Sequence, residues 1–292
     1  MIYSIENKEL KVAVDTAGAQ LASIYSKTTE TEYLWQGDPA YWTGRAYNIF
    51  PFVGRLYNGV YTYGGQEYSF KLHGIARYMD FVLTDRTATK LEFLLKDNEE
   101  TLKQYPFHFE LYVRYEIQGK KLVCTMHVNN VDEKEMIFVL GGHPGFNVPF
   151  KNGMFEDYYL EFAEATNVMA EQYTDKGLMT DVRVPYELKN GVRLDLKHEL
   201  FERDAVILGN TCRSVTLKNK TNARKLVFNY PDFRYLGIWH TASSDAPFVC
   251  LEPWTALPSI DGQTEVLETK PNATHLASGK SHDAVWSVEI FD

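Results

Sequence analysis

Short alternation of apolar and polar residues, repeated along the whole chain, is the feature that most limits its fold. In Leu111–Ile117 every second residue is Leu, Val, Tyr or Ile, and the residues between them are Tyr, Arg and Glu. This period of two predicts a half-buried strand of an antiparallel sheet. Segments of strand length recur from Ile2–Ile5 to Ala284–Phe291, with few helical windows among them. The pattern therefore predicts an all-β fold, a large antiparallel β-sandwich.

A two-glycine turn predicts a hairpin that matters for function. Gly64-Gly65 separates two β-rich runs, Val60–Tyr63 and Gln66–Phe70. Such a turn between β-rich runs is a strong hairpin signal. Because a hairpin brings its two ends together, Arg55 before it and His73 after it are expected to lie side by side. The alternative is an exposed arginine and an unrelated turn histidine.

Length and composition narrow the class of protein. The 292 residues contain no Pro/Gly/Ser-rich linker, so we expect one domain spanning residues 1–292. With 45% hydrophobic and 14% aromatic residues, the chain has enough apolar side chains for a large core, which excludes disorder. The net charge of -9 and pI of about 5.4 argue against a nucleic-acid partner, which would require a basic face.

The sequence predicts neither a membrane span nor an export signal. No stretch reaches the roughly 20 apolar residues of a membrane span, and the first residues lack the apolar core of a signal peptide. The three cysteines, Cys124, Cys212 and Cys250, are odd in number and form no CxxC motif, which disfavours a disulfide framework or a structural zinc site. We therefore expect a cytoplasmic protein without membrane attachment.

His143 is the first candidate for chemistry. The apolar run Ile137–Leu140 predicts a buried strand that stops at Gly141-Gly142, with Pro144 and Gly145 turning the chain after the histidine. A histidine at a rigid strand end is open to a ligand and titrates near neutral pH. The alternative is a satisfied loop histidine. Another segment, 41–52, is rich in aromatic residues but has no clean period, and we expect it to form a long surface loop.

Carboxylates and tryptophans supply further candidates. Glu252 follows the apolar strand Phe248–Leu251, and Pro253 is expected to end that strand. Partial burial would raise the pKa of Glu252 and suit the carboxylate to act as a general base. The alternative is an ion pair between Glu252 and an arginine at the edge of the core. Asp204 stands immediately before an apolar strand, and by itself it is expected to be an N-terminal cap or an exposed acid. Trp239 and Trp254 could offer flat faces to a sugar, although core packing is the commoner role.

Other site chemistries lack their motifs. There is no GxGxxG before a helix and no GxxxxGK[ST], and GxSxG and HExxH are absent. A metal site of His73, His143 and Glu252 is conceivable, but no HxH or HxxxH pair supports it. The sequence therefore predicts neither a cofactor nor a metal.

Four segments, taken in order, resemble the aldose 1-epimerase (galactose mutarotase-like) family over most of the chain. They are the Arg–hairpin–His-Gly segment GRLYNGVYTYGGQEYSFKLHG, the histidine segment GGHPGFN, the aspartate segment ERDAVIL and the glutamate segment CLEPWTALPSIDG. The match is nearest to the LacX-like branch, and HGIAR resembles the HGxAR run of the hexose-6-phosphate mutarotase branch. HPGFN departs from the usual H-x-Y-F-N type, and Glu252 is followed by Pro-Trp, which argues against simple galactose specificity.

The resemblance implies a galactose mutarotase-like supersandwich that interconverts the α and β anomers of a sugar or sugar phosphate. It implies His143 as the acid and Glu252 as the base of ring opening, without a metal or cofactor. Arg55, His73 and Asp204 would bind the sugar hydroxyls, and Arg77 could bind a phosphate bidentately. Two alternatives stay open: a non-catalytic sugar-binding or regulatory protein of the same fold, and a metal-dependent sugar isomerase.

Overall fold

The computed structural model of the protein describes residues 1–291, so the expected domain of 1–292 extends one residue, Asp292, beyond the described chain. Regular structure within that range is almost entirely β-strand, as the alternation predicts. The strands are β1 (Ile2–Glu6), β2 (Leu10–Asp15), β3 (Leu21–Ser26), β4 (Thr31–Glu32), β5 (Ala46–Ile49), β6 (Val60–Tyr63), β7 (Gln66–Ser69), β8 (Val82–Arg86), β9 (Lys90–Lys96), β10 (Phe109–Gln118), β11 (Lys121–Asn130), β12 (Met136–Phe138), β13 (Gly141–Asn147), β14 (Tyr158–Phe162), β15 (Met169–Tyr173), β16 (Met179–Pro185), β17 (Arg193–Asp195), β18 (Val206–Gly209), β19 (Ser214–Asn219), β20 (Lys225–Asn229), β21 (Tyr235–Trp239), β22 (Phe248–Trp254), β23 (Glu265–Val266), β24 (Thr274–Leu276) and β25 (Ser281–Phe291).

Helical structure in residues 1–291 is short. One α-helix, α1 (Glu99–Gln104), begins after Asn98, whose side chain accepts hydrogen bonds from the backbone N–H groups of Glu100 and Thr101. The other helices are 3₁₀ turns at Tyr57–Gly59, Ala76–Tyr78, Phe155–Asp157, His198–Phe201 and Leu267–Thr269. None of the helices in this range is long and apolar enough to cross a membrane.

Two large sheets dominate the architecture. One has nine strands in the order β17-β14-β19-β20-β25-β11-β10-β9-β8, and the other has seven in the order β16-β15-β18-β21-β22-β13-β5. Every pairing within these two sheets is antiparallel. A shared apolar core joins them; for example, the rings of Phe146 on β13 and Phe228 on β20 lie 6.0 Å apart. The antiparallel sandwich expected from the sequence is therefore confirmed.

The hairpin prediction is also confirmed. β6 and β7 pair with Tyr63 opposite Gln66, on either side of the Gly64-Gly65 turn. At the open end, the backbone N–H of His73 donates to the carbonyl of Gly54 at 3.0 Å. The hairpin thus brings the backbone next to Arg55 into contact with His73.

The strand containing His143 differs from the expectation. The chain does not stop at Gly141-Gly142 and turn at Pro144-Gly145; instead β13 begins at Gly141 and runs through both. The glycines serve close packing, because a Cβ at Gly141 would lie 2.9 Å from the ring of Trp254, and one at Gly145 would lie 3.2 Å from the ring of Trp42. The histidine consequently lies within a buried strand rather than at its end.

Glu252 likewise lies inside a strand. β22 continues past Pro253 to Trp254, and Pro253 faces Leu236 on β21. On its other side, β22 pairs with β13 at Gly141 and again from Gly145 onward, but residues 142–144 are not paired with it. Proline is tolerated in this strand because the ladder is interrupted on that side, so the missing N–H of Pro253 removes no hydrogen bond there.

The expected surface loop over residues 41–52 is also wrong in part. Ala46–Ile49 form β5, which pairs with β13 at the edge of the seven-stranded sheet. Phe50 and Phe52 are fully buried. Because these side chains are buried on several sides, their order follows no simple period, and the alternation expected of a half-buried strand is absent.

Candidate active site

All six residues that the sequence marks for chemistry or sugar binding line one cavity of about 310 Å³. The cavity opens beside the middle of the seven-stranded sheet. His143 and Glu252 come from strands β13 and β22, whereas Arg55, His73, Arg77 and Asp204 lie in the connections and turns around it. The lining is completed by Trp42, Gly54, Leu72, Tyr173, Gly177, Ala205, Ile207, Trp239, Trp254 and Pro258.

His143 and Glu252 are in direct contact. The Nε2 atom of His143 lies 3.2 Å from Oε2 of Glu252. The two residues are only 7% and 2% exposed, so a small opening gives access to them from the cavity. A proton can pass between these two atoms without an intervening water, since the distance is that of a hydrogen bond.

The surroundings shift the two pKa values in opposite directions. Burial lowers the pKa of His143 to about 3, and the positive charge of Arg77 adds to this effect. Burial raises the pKa of Glu252 well above its usual range; the negative charge of Asp204 adds to this, and Arg77 opposes it. Both shifts favour the uncharged forms, a protonated carboxyl group on Glu252 beside a neutral imidazole on His143.

An aromatic wall fixes the imidazole of His143. The indole of Trp42 stacks on it, with ring centroids 4.8 Å apart and planes 30° apart, and Trp239 meets its edge at 5.5 Å. The Nδ1 atom of His143 is buried and has no hydrogen-bond partner within residues 1–291. Packing, rather than a hydrogen bond from behind, therefore orients this ring.

His73 presents a hydrogen-bond donor to the cavity. Its Nδ1 atom accepts the backbone N–H of Gly54 at 3.1 Å, and burial lowers its pKa well below the usual range. The neutral ring must therefore carry its hydrogen on Nε2. Its plane is perpendicular to that of His143, with centroids 5.5 Å apart.

The same tautomer bears on metal binding. Nitrogen and oxygen atoms of His73, His143 and Glu252 lie within 4.8 Å of one another, a spacing that a metal ion could bridge. A metal ligand must offer a lone pair, but the lone pair of His73 Nδ1 is used by Gly54 and Nε2 carries a hydrogen. The group therefore fits hydrogen bonding to hydroxyls better than it fits a metal ion.

Two arginines bring unpaired positive charge. The guanidinium of Arg77 lies 3.7 Å above the ring of Tyr47, and its buried Nε has no hydrogen-bond partner within residues 1–291. Neither Arg77 nor Arg55 makes a side-chain ion pair in that range. Guanidinium groups held open in this way can donate to sugar hydroxyls or to an anionic substituent.

Asp204 is neither a plain cap nor a fully exposed acid. It is partly buried in the cavity wall, and burial raises its pKa, while the Trp239 indole and the charge of Arg55 oppose the shift. The cavity therefore contains a hydrogen-bond acceptor, Asp204, as well as the arginine donors. Trp239 and Trp254 both line the cavity, so their rings are placed where a sugar could stack on them.

Sequence reasoning missed Trp42. This residue lies in the segment expected to be a surface loop, yet it packs directly on His143. The available signal was the density of aromatic residues in that segment, which a solvated loop does not need.

Comparisons with known proteins agree on one family. A family model described as aldose 1-epimerase matches residues 1–270. Protein LacX of Lactococcus lactis subsp. lactis, from its plasmid and from its chromosome, is 37% identical over 297 residues, covering 97% of this chain and 98% of the relative.

Solved structures are similar over their whole length. A galactose mutarotase related enzyme from Lactobacillus acidophilus superposes with a TM-score of 0.94 at 35% identity, covering 100% of this chain and 98% of that one. A galactose mutarotase-like protein from Lactobacillus casei ATCC 334 has a TM-score of 0.94 at 31% identity, with 100% of both chains covered.

Proposed function

Because the chain belongs to the aldose 1-epimerase family, whose members are isomerases acting on sugars, we propose that it interconverts the α and β anomers of an aldohexose or a hexose 6-phosphate by acid–base ring opening. The observation that carries this proposal is the 3.2 Å contact between His143 and Glu252 at the base of a cavity of sugar size.

Ring opening requires two proton movements. A base must take the proton of the C1 hydroxyl, and an acid must protonate the ring oxygen. In the proposed mechanism Glu252 is the base and His143 is the acid, so the reactive form of the pair is the imidazolium–carboxylate ion pair. When the ring opens, Glu252 becomes the neutral acid and His143 the neutral imidazole. This uncharged pair is the form that burial favours.

Ring closure reverses the roles. After rotation about the C1–C2 bond, the neutral Glu252 returns its proton to the carbonyl oxygen, and His143 accepts the proton of the closing hydroxyl. The ion pair is restored, and no net proton is exchanged with solvent. Each proton transfer can contribute roughly 10²–10⁴-fold to the rate. The charge of Arg77 favours the carboxylate of Glu252 and disfavours the imidazolium of His143, so its two effects on the ion pair oppose each other.

The surrounding polar groups would hold the sugar in one pose. His73 and Arg55 supply donors, and Asp204 supplies an acceptor. Fixing the ring so that both proton transfers act on the same pose lowers the entropic part of the barrier. Arg77, with its open guanidinium, would bind a phosphate if the substrate carries one.

The contact between His143 and Glu252 favours turnover over a protein that only binds sugar. A binding protein of the same fold would not need its acid and base within 3.2 Å. We further infer a single domain that works in the cytoplasm. One apolar core contains residues from Ile5 to Ile290, and Cys124, Cys212 and Cys250 are free thiols, which suits a reducing compartment.

The test is anomerisation of freshly dissolved α-glucose, α-galactose and glucose 6-phosphate, followed by polarimetry or a coupled assay. Wild-type protein should accelerate at least one of them above the spontaneous rate, and His143→Ala should lose the acceleration. Binding of a sugar without acceleration of any of the three would replace the enzyme by the sugar-binding alternative.

A further inference from the structure

A second cavity of about 550 Å³ lies beside the catalytic one. Its walls come from β15, β16 and β21 and from the segment 257–272, and Pro258 lines both cavities. The two are separated by main chain: Met179 donates to Ser259, and Asp261 donates to Met179, each at 2.8 Å. Gly177 faces the catalytic cavity, whereas Met179 faces the second one.

Several polar side chains in the second cavity have no partner in the protein. The side chains of Glu171, Asp181, Arg183 and Gln263 line it, and none makes a hydrogen bond or an ion pair within residues 1–291. Glu171 is partly buried, and burial raises its pKa, with Arg183 opposing the shift. Asp181, Arg183 and Gln263 are exposed and reach water, whereas the partly buried Glu171 must be satisfied by water or by a polar ligand that enters the cavity.

An apolar surface accompanies these groups. Tyr235 lines the cavity together with Met179, Leu257 and Ile260, and the amide of Asn272 donates to the Tyr235 hydroxyl at 3.2 Å. Small-molecule sites in proteins have volumes of about 300–1,000 Å³ and combine such an apolar surface with a few polar groups. The second cavity meets both criteria.

The charges disfavour a simple ion as the ligand. Lys270 is buried and already paired with Glu265 at 2.9 Å, so its charge is neutralised. The unpaired groups that remain include both signs, with Arg183 close enough to Glu171 to lower its pKa. A ligand that both donates and accepts hydrogen bonds, and has an apolar face to place on Tyr235, matches this lining. A pyranose has these properties.

We propose that the second cavity binds a sugar unit. The unit is a separate sugar molecule, because hydrogen-bonded main chain divides this cavity from the catalytic one. Its binding does not depend on the proposed anomerisation. It requires recognition by Glu171, Asp181, Arg183, Gln263 and Tyr235.

The test uses the double variant Glu171→Gln/Asp181→Asn, which keeps the size of both side chains; asparagine also tolerates the positive φ of 58° at position 181. The matched control is Glu164→Gln/Glu187→Gln, which changes two exposed carboxylates that line neither cavity. Gln263→Ala, at an exposed position, provides a second variant if the double variant does not fold.

Calorimetry with glucose or galactose should give two sites in wild-type protein. In the double variant the affinity of the second site should fall about tenfold or more, because loss of a hydrogen bond to a charged group corresponds to a change of that size. The anomerisation rates of the same sugars should stay unchanged.

A single sugar site in wild-type protein, or a second site of unchanged affinity in the double variant, would overturn the proposal. The failure of the proposed function is distinguishable: wild-type protein would then accelerate no sugar, whereas the stoichiometry of sugar binding would still report on the second cavity. The control variant should match wild-type protein in both measurements.

Discussion

His143 and Glu252 are direct cross-strand neighbours in an interrupted part of the sheet. β13 and β22 pair at Gly141 with Trp254, and again at Gly145 with Cys250, in one continuous register. That register places position 143 opposite position 252, and their side chains meet at 3.2 Å. Ladder pairing on both sides of the interruption therefore fixes the distance between the proposed acid and base.

The first prediction concerns Glu252→Gln. The amide cannot take a proton from the C1 hydroxyl, so kcat should fall by about 10²–10⁴-fold. Sugar affinity should change little, because the side chain keeps its size and Arg55, His73 and Asp204 remain in place. The measurements are polarimetric kcat and calorimetric Kd, with Glu187→Gln as an exposed control. A variant with wild-type kcat would reject Glu252 as the base.

The second prediction concerns pH. Because the pKa of His143 is lowered to about 3, its imidazole gains no proton between pH 8 and pH 6. The raised pKa of Glu252 means that the pair loses its proton, if at all, on the alkaline side. We therefore expect kcat/KM for a free sugar to vary little between pH 8 and pH 6, after subtraction of the spontaneous rate, because the pair keeps the same proton throughout this range. A histidine acid with the usual pKa of about 6.5 would instead raise kcat/KM severalfold as the pH is lowered and its protonated fraction grows, which would contradict the lowered pKa of His143.

The third prediction concerns Arg77→Ala. If the substrate is a hexose 6-phosphate, removal of the open guanidinium should weaken its binding by about tenfold or more and affect the free hexose much less. Arg77→Lys should restore part of the loss, since it keeps the charge but not the bidentate geometry. Equal losses for both sugars in a binding titration would show that Arg77 does not recognise a phosphate.

The fourth prediction concerns Trp42, which stacks on His143. Trp42→Leu should lower kcat by about tenfold, because the imidazole loses the one ring that stacks on its face within residues 1–291, and its Nδ1 has no hydrogen-bond partner in that range to hold the ring instead. Trp42→Phe keeps a stacking ring and should recover most of the rate. The kcat and the thermal unfolding of the two variants are compared. If both variants lose kcat equally, and only in step with their loss of stability, Trp42 has a purely structural role.

The fifth prediction separates backbone strain from steric fit at two glycines. Gly74 has φ +77°, and a Cβ there would lie 2.5 Å from the carbonyl oxygen of Phe50. Gly64 has φ +57° with open space around it. Gly64→Ala should lower the free energy of unfolding by about 1–2 kcal/mol, the cost of the left-handed conformation alone. Gly74→Ala should cost more than that, because the backbone must also move.

Both values come from denaturant unfolding. Equal losses in the two variants would mean that the chain near Phe50 moves without cost. Because Gly74 follows His73, the same variant should also weaken sugar binding, whereas Gly64→Ala should not.

The sequence predicted the antiparallel sandwich because the strands of the nine-stranded sheet bury one face. β10 shows this plainly, with Leu111, Val113, Tyr115 and Ile117 buried and the residues between them partly exposed. Such strands carry their own signature, since the burial period equals the side-chain period of two. The hairpin between β6 and β7 was predictable for a similarly local reason, the Gly-Gly turn.

The strands that carry the proposed catalytic residues were harder to predict. β13 and β22 are buried on both faces, and Gly141, Gly145, Pro144 and Pro253 are residues that usually mark turns. Here distant tryptophan rings occupy the space that glycine side chains leave free, and the interrupted ladder accommodates the prolines. Neither condition can be seen in the local sequence.

Residues placed by distant partners were the least predictable. From its neighbours in the sequence, Asp204 is expected to be an N-terminal cap or an exposed acid. Its place in a cavity depends on Trp239 and Arg55, which are distant in the sequence. The density of aromatic residues around Trp42 indicated burial, but it did not indicate that the ring stacks on His143. The resemblance to a known family, rather than periodicity, pointed to Asp204 and Arg77.

The division of the site between strands and connections bears on how such a protein changes over time. The proposed acid and base are held by the ladder of the sheet, whereas the proposed sugar-binding residues, Arg55, His73, Arg77 and Asp204, lie on segments outside it. Under the proposed function, exchange of those connecting segments would alter which sugar is accepted without moving His143 and Glu252. Descendants of one ancestor can therefore inherit the reaction and diverge in substrate, and an engineer seeking a new substrate would graft loops and leave β13 and β22 untouched.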